Sequence, residues 1–499
     1  MSRRLSILGT AILLLFAVVA AQSANVQFFR APALDASPLN PRVAQASTLY
    51  ARGQIVAADG TILAQSVPTS SGFYPWQRIY PLGSLTSGVV GFSGPSYGNW
   101  GLEAFYGSDL AAHAQPPQSF AQVLAPISAA DSVTLTLEPA LQRVARTALG
   151  GQDGAAVVLN PRTGDVLAMY SNPNYNPAPL ASTVYATAKA AWKADTTRDA
   201  HGFEPLGLVA TQQTFPPGST FKVVTTAAAV IGRPDLLVKP YPVKNYAVIP
   251  NSPLKLYNSG FSACGGTVAV MLPESCDPGY ALLGLDIGAN LMSATANSFG
   301  YNLVPPLDLG GVVASYFPAA SSFQYNLPGL AYSSIGQENV RASALQNALV
   351  AAAVANGGAM MTPHLMSYIS GPDGTVIKRF KDSVWQRPLT PAQAQQIVPL
   401  MQNVVRYGTA SGIFPAALDV AAKTGTAQTG NSKKNTDDWM IAFAPATNPT
   451  VAVAVVMPFQ AQSAFGATVA GPIIKCLVEG ALALQSGHPV SGTSTTCPS

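Results

Sequence analysis

From Leu5 to Ala21 the chain carries no charged residue, its centre is Leu13-Leu14-Leu15-Phe16, and the next charge is Arg30. A run of that length can cross the hydrocarbon core of a bilayer as a helix. Arg3 and Arg4 precede it, and basic residues ahead of a first span hold the short N-terminus in the cytoplasm and send the rest outside. Ala21-Gln22-Ser23 offers the alternative of a cleaved signal peptide. Either way the remainder is exported. No second run of this kind occurs, although only 10% of the 499 residues are Asp, Glu, Lys or Arg and 48% are hydrophobic. A polytopic membrane protein is therefore excluded, and so is a disordered chain, which would be rich in charge and poor in apolar residues. The 27 basic and 23 acidic residues give a net charge of +4, with no basic block beyond Lys433-Lys434. Nucleic-acid binding lacks its electrostatic footprint.

Turn and periodicity signals divide the exported part. Residues 25 to about 150 read as short strands, with Asp59-Gly60 as a hairpin turn and a Pro/Gly/Ser/Tyr-rich section from Tyr80 to Gly107 that holds no helix. Pro139 to Leu149 reads as a helix closed by Gly150. Near residue 152 a second unit begins, with strands at Ala155–Leu159 and Val166–Tyr170. Helices follow after Lys222 and over 342–356 and 390–407, then strands at 439–444 and 451–457 and a last helix around 473–484. Strands at both ends with helices between imply one mixed sheet assembled from remote segments. The tail after Gln485 has the composition of a disordered end. Four cysteines suit an exported chain, and Cys264 and Cys276 are close enough to staple a loop, or else are buried free thiols.

The chemistry concentrates on serine and lysine. His113, His201, His364 and His488 are scattered, and none accompanies a Gly-flanked serine, so a Ser-His-Asp hydrolase and a histidine zinc site both fit poorly. Pro216-Pro217-Gly218 breaks the chain and Ser219 opens a helix. A serine there is ordinarily an N-cap. Lys222 has the wrong sign for the first turn of a helix, which calls for another explanation. Three residues apart, Ser219 and Lys222 share a helix face. Burial and the helix dipole would lower the lysine pKa toward a neutral amine that can take the serine proton. Free N–H groups at the same helix start could hold an oxyanion. A second Ser-x-x-Lys, Ser252 to Lys255, runs into a turn and lacks the helix this chemistry needs. Lys423-Thr424-Gly425-Thr426 reads as a strand with a cation and an internal glycine, suited to an extended peptide that ends in a carboxylate. Standing alone, it would be a lysine on a solvated edge strand.

Taken together, Ser219-Thr220-Phe221-Lys222 and Lys423-Thr424-Gly425 resemble the motifs of penicillin-binding proteins and serine β-lactamases. Ser334-Ile335-Gly336-Gln337, Asn356-Gly357-Gly358, and Trp439 with Phe443-Ala444-Pro445 are similar to further transpeptidase landmarks, while Arg52-Gly53, Asp59-Gly60 and Gly101-Leu102-Glu103 resemble the N-terminal pedestal of class B members. The pattern is most like the short actinobacterial A-type enzymes. The resemblance implies an α/β (α+β) fold: a transpeptidase domain with a mixed sheet covered by helices, an elongated β-rich pedestal and one N-terminal transmembrane helix. The expected divisions are residues 1–24 as cytoplasmic tip and signal anchor, 25–151 as dimerisation-like pedestal, 152–487 as transpeptidase domain and 488–499 as tail.

The implied activity is peptidoglycan D,D-transpeptidation, in which a D-Ala-D-Ala stem peptide acylates a serine and an amine of a neighbouring stem displaces it; β-lactams would acylate the same serine. The implied roles are Ser219 as nucleophile, Lys222 as general base, Ser275 as proton carrier to the leaving D-Ala, and Lys423, Thr424, Gly425 and Thr426 as the site for the substrate carboxylate. Backbone N–H groups of Ser219 and Thr426 would form the oxyanion hole. No metal or organic cofactor is expected. The expected partners are stem peptides on lipid-linked glycan strands and divisome or elongation proteins such as a lipid II glycosyltransferase, at the outer side of the cell membrane. Arg52 and Glu103 would tie pedestal to catalytic domain. The sequence departs from the family at its Ser-x-Asn motif: the matching segment is Ser275-Cys276-Asp277. A carboxylate there only accepts hydrogen bonds and would raise the pKa of Lys222. Alternatives are a D,D-carboxypeptidase, a β-lactamase, or a weakly catalytic scaffold. The scarcity of charge suggests an acidic medium, in which a protonated Asp277 could mimic the missing asparagine.

Overall fold

The computed structural model describes residues 2–30, 49–70, 74–114, 128–250, 252–253, 255–429, 435–488 and 490. The tail expected to be disordered lies almost wholly outside the described residues.

Helix α1, Ser2–Ala24, contains the expected apolar run; over Ile7–Gln27 it is long and apolar enough to span a membrane, and none of it is buried against the protein. The strands and helices that position the rest are, in chain order, β1 (Ile55–Val56), β2 (Ile62–Pro68), β3 (Trp76–Ile79), β4 (Ser132–Leu135), α2 (Pro139–Leu149), β5 (Gly154–Leu159) and β6 (Val166–Asn172). There follow α3 (Lys222–Gly232), α4 (Asp277–Ile287), α5 (Ala344–Ala355), β7 (Met366–Ser370), β8 (Val376–Arg379) and α6 (Pro391–Arg406). The chain ends with β9 (Ala421–Gln428), β10 (Asn435–Ala444), β11 (Val451–Ala461) and α7 (Gly466–Gln485).

Two sheets organise the molecule. The first is six-stranded in the order β8-β7-β4-β1-β2-β3 and is mixed, because β1 and β4 run parallel while the other pairs are antiparallel. The second is five-stranded, β6-β5-β11-β10-β9, and antiparallel throughout. Every residue of β5 and the first eight of β11 are buried, the mark of a strand covered on both faces. On one face lies α5, buried on nearly every side, and on the other lie α2 and α7. Apolar and long enough to mimic a membrane span, α7 packs instead in this core, with 44% of its window buried.

The expected boundary at residues 151 and 152 does not separate the strands. β7 and β8, far down the chain, complete the sheet of β1 to β4, and α2, from the expected pedestal, buries Leu141, Val144, Ala145 and Leu149 toward β6 and α7. The section Tyr80 to Gly107 is not wholly irregular either: Ser87–Val90 and Leu102–Phe105 form single helical turns. Such turns leave no periodicity to read.

Arg52 and Glu103 do not bridge the two units as expected. Glu103, fully buried, is gripped within the N-terminal unit by Arg52 at 3.0 Å and Arg78 at 2.5 Å. Burial pushes its carboxyl upward, and the two guanidiniums outweigh that and hold it below the usual range. Asp308 does join the two units: its carboxylate accepts the Tyr106 hydroxyl at 2.5 Å and the backbone N–H groups of Leu365 and Met366 at 2.6 and 2.8 Å.

Candidate active site

Gly218–Phe221 forms a tight 3-10 turn that runs directly into α3. The turn is pinned from three sides. Thr220 Oγ1 donates to Pro217 O at 2.8 Å, Asn347 Nδ2 of α5 donates to Thr220 Oγ1 at 3.2 Å, and Trp439 Nε1 of β10 donates to Pro216 O at 2.9 Å. Gly336 sits against it with φ +74, where a Cβ would lie 2.1 Å from Gly218 O, so this landmark glycine is required by close backbone approach. Ser219 caps nothing: no side-chain cap bond is made at the start of either helical segment. Its hydroxyl is left available at a buried helix start.

Lys222 is fully buried, and its Nζ donates to Ser275 O at 2.6 Å and Asp277 Oδ1 at 2.6 Å, with Ser275 Oγ at 3.4 Å. Ser275 has φ +58, a conformation few non-glycine residues adopt, which presents both its carbonyl and its hydroxyl to the lysines. Asp277 opens α4, at the positive end of the helix dipole and in an ion pair with Lys222. Asn258 Oδ1 accepts the Asp277 N–H at 3.1 Å, and a disulfide joins Cys264 to Cys276, so the loop before α4 is clamped at this motif. Burial lowers the Lys222 pKa, and Asp277 opposes that without cancelling it.

Lys423 comes from β9 and is also fully buried; its Nζ donates to Ser275 Oγ and to Thr424 O, both at 2.9 Å. Burial, then repulsion from Lys222, holds it well below the ordinary lysine range, with Asp277 acting the other way. Ser275 Oγ thus lies between two lysines. β9 is the edge strand of its sheet, so its outer side pairs with no further strand of that sheet. At Gly425 a Cβ would meet Pro217 O at 2.8 Å, so only glycine lets this strand lie against the Ser219 turn. The Thr424 hydroxyl shares a hydrogen bond with Thr409 at 2.7 Å, and Thr426 Oγ1 accepts the Gly466 N–H at 3.0 Å.

Three remote segments therefore deliver Ser219, Lys222, Ser275, Asp277 and Lys423 to one place. Sequence reasoning missed Asn258, Thr409, Asn347 and Gly466, whose partners are set only by tertiary packing. The second Ser-x-x-Lys has no helix, since Lys255–Tyr257 is a short strand. Among the described residues, Asp153, Asp199 and His201 form a surface cluster of metal-capable groups, in which His201 Nδ1 lies 2.8 Å from Asp153 Oδ2; none of the three belongs to this site.

Residues 154–479 match the family described as penicillin binding protein transpeptidase domain, and residues 52–132 match the penicillin binding protein A dimerisation domain. The chain is 34% identical over 502 residues to the peptidoglycan D,D-transpeptidase PbpA of Mycolicibacterium smegmatis, covering 97% of this chain and 99% of that protein. It is 33% identical to the protein of the same name from Mycobacterium tuberculosis, over 96% of this chain and 98% of that one. Among solved structures it resembles penicillin-binding protein A from M. tuberculosis as its ceftriaxone acyl-enzyme complex, with TM-score 0.78 and 30% identity over 88% of this chain and 99% of that one. The penicillin G acyl-enzyme complex of that protein matches with TM-score 0.78 and 31% identity, over 87% of this chain and 99% of that one.

Proposed function

The chain belongs to the penicillin-binding protein transpeptidase family, and from that membership we propose that it is a class B peptidoglycan D,D-transpeptidase that works through an acyl-enzyme on Ser219. The observation that carries the residue roles is the buried convergence of Lys222 and Lys423 on Ser275 beside the Ser219 turn.

A neutral Lys222 amine has two N–H donors, which match its two 2.6 Å contacts, and one lone pair left for the Ser219 proton. Burial is what makes that neutral form accessible. Ser219 Oγ attacks the carbonyl carbon of the D-Ala-D-Ala bond as its proton passes to Lys222. The oxyanion is held by the backbone N–H groups of Ser219 and Thr426. The C–N bond breaks, and the departing D-Ala nitrogen takes a proton through Ser275 Oγ, which both lysines can resupply. An amine of a neighbouring stem then attacks the ester, forms a new amide, and returns Ser219 to its hydroxyl. Lys423, with the Thr424 and Thr426 hydroxyls, holds the terminal carboxylate of substrate or β-lactam.

The apolar exposed α1 supports anchoring by one span. Arg3 and Arg4 ahead of that span support a catalytic unit on the outer side of the membrane, and the partners this reading proposes are lipid-linked glycan strands and a lipid II glycosyltransferase.

Labelling with a fluorescent penicillin tests the proposal. The intact chain forms a stable adduct and Ser219→Ala forms none; an adduct that survives Ser219→Ala would refute it. Rapid release of hydrolysed drug would favour a β-lactamase, and release of D-Ala from a stem peptide without crosslinking would favour a carboxypeptidase.

A further inference from the structure

Asp437 and Asp438 lie side by side in β10, both buried, and neither takes part in the chemistry above. Asp438 is directly opposite Thr426 in the register of β9 and β10, and such cross-strand pairs put their Cβ atoms about 5 Å apart on one face of the sheet. The first residue of α7 covers that face, because the Gly466 N–H donates to Thr426 Oγ1 at 3.0 Å and a Cβ on Gly466 would meet Gly425 O and Trp439 O at 2.3 Å. Both carboxyl oxygens of Asp438 are buried without a hydrogen-bond partner among the described residues. The Thr426 and Thr436 hydroxyls are near enough to favour its ionised form, though neither completes a bond of ordinary geometry.

An unpaired carboxylate is costly in such a place. Burial, with Asp437 adding to it, pushes the Asp438 carboxyl up to about 7. Asp437 is pushed to about 6 by burial, against the Phe459 N–H that it accepts at 3.2 Å and the opposing charge of Arg341. The other charged groups on the packing elements are Lys423 of β9, one residue out of phase and so on the opposite face, Lys222 below that face, and Lys475 and Glu479 more than two turns along α7. β11 and α5 contain no titratable residue.

We propose that Asp438 is a positioning residue for the substrate's terminal carboxylate: as a neutral acid it donates to the Thr426 hydroxyl, and as a carboxylate it takes the Thr426 proton for itself. The count of donors makes the two states different. Thr426 Oγ1 has two acceptor positions and one proton. One position is filled by Gly466 N–H. When protonated Asp438 fills the other, the Thr426 proton is free for the substrate. When Asp438 is ionised, that proton turns inward and Thr426 offers the substrate carboxylate only a lone pair. This deepens the transpeptidase reading and rests on the role given there to Thr426. Unlike Asp277, which is paired with Lys222, Asp438 has no hydrogen-bond partner among the described residues.

The test uses the full chain, a penicillin with its free carboxylate, and the same drug as its methyl ester. Acylation of Ser219 at rising drug concentration separates affinity from the acylation rate. Between about pH 5 and about pH 8 the affinity for the free acid falls about tenfold, the difference expected for one lost hydrogen bond to a charged group, while that for the ester stays level. Asp438→Asn, whose amide donates to Thr426 at every pH, removes the fall. Asp438→Ala leaves no polar group to bury and also removes it, which keeps the test open if the amide variant does not fold. A fall shared by the ester, or a fall retained in the variants and therefore due to another group such as Lys423, overturns the inference. Failure of Ser219 to label at any pH overturns the transpeptidase reading instead, and this inference with it.

Discussion

Replacing Asp277 by asparagine isolates the electrostatic control of the general base. The substitution keeps an oxygen acceptor facing Lys222 at the 2.6 Å position but removes the charge. Asp277 is the sole group that raises the Lys222 pKa against the burial that lowers it. An opposite charge at this range favours the charged form of the lysine. Without it, burial acts unopposed and a larger fraction of Lys222 is neutral at any given acid pH. The second-order rate constant for acylation by penicillin, measured from about pH 4 to about pH 9, should show an acid limb that reports loss of the Lys222 proton. In Asp277→Asn that limb moves to lower pH, and at a fixed pH on the limb acylation becomes faster. Mass spectrometry should find the adduct on Ser219 in both proteins, and their unfolding midpoints show whether folding has changed. An acid limb that stays in place, or moves to higher pH, would show that Asp277 does not hold the Lys222 proton.

Three further outcomes follow from buried polar groups. Glu103→Ala leaves Arg52 and Arg78 buried without their carboxylate, which should lower stability by about 3 to 5 kcal/mol in chemical denaturation; a loss below about 1 kcal/mol would contradict the geometry. Asp308→Ala removes the acceptor of two backbone N–H groups and the Tyr106 hydroxyl, and should speed hydrogen exchange at Leu365 and Met366 by about tenfold or more. The Asp438 carboxyl is raised from 3.8 to about 7, so the folded state binds its proton more tightly than the unfolded chain does. Its contribution is full below the unfolded value and is lost as pH rises through about 7, up to about 4 kcal/mol in all. The unfolding midpoint should therefore decline across that window and flatten in Asp438→Asn; an identical decline in the variant would exclude Asp438 as its source.

Local features were legible wherever one segment carried the whole signal. Pro139 to Leu149 was readable as a helix from its proline start and closing glycine, and Gly150 does take the left-handed conformation at φ 61. The helix over 391–406 announces itself by Thr390 and Gln393, which form a capping box. The last helix begins at Gly466 rather than near 473, because Gly466, Gly471 and Pro472 hide a helical start. β10 likewise starts at Asn435, since two adjacent aspartates do not look like a buried strand. Arg52 and Glu103 were correctly read as structural, but to which unit they belonged depended on Arg78, a residue with no motif of its own.

What the amino-acid order determined alone is the layout and the reactive pair. The apolar run of α1 follows from composition, and the proximity of Ser219 to Lys222 follows from a three-residue spacing on a helix, which needs no partner segment. What only the tertiary structure decided is the company those two keep. Ser275 and Lys423 reach the site because α4 packs against α3 and β9 against the Ser219 turn. Asp438 meets Thr426 because two strands pair in one register. A shift of one residue would have turned that carboxyl to the other face of the sheet, and burial, which lowers the pKa of both lysines and raises that of Asp438, exists only once the remote segments have closed around them.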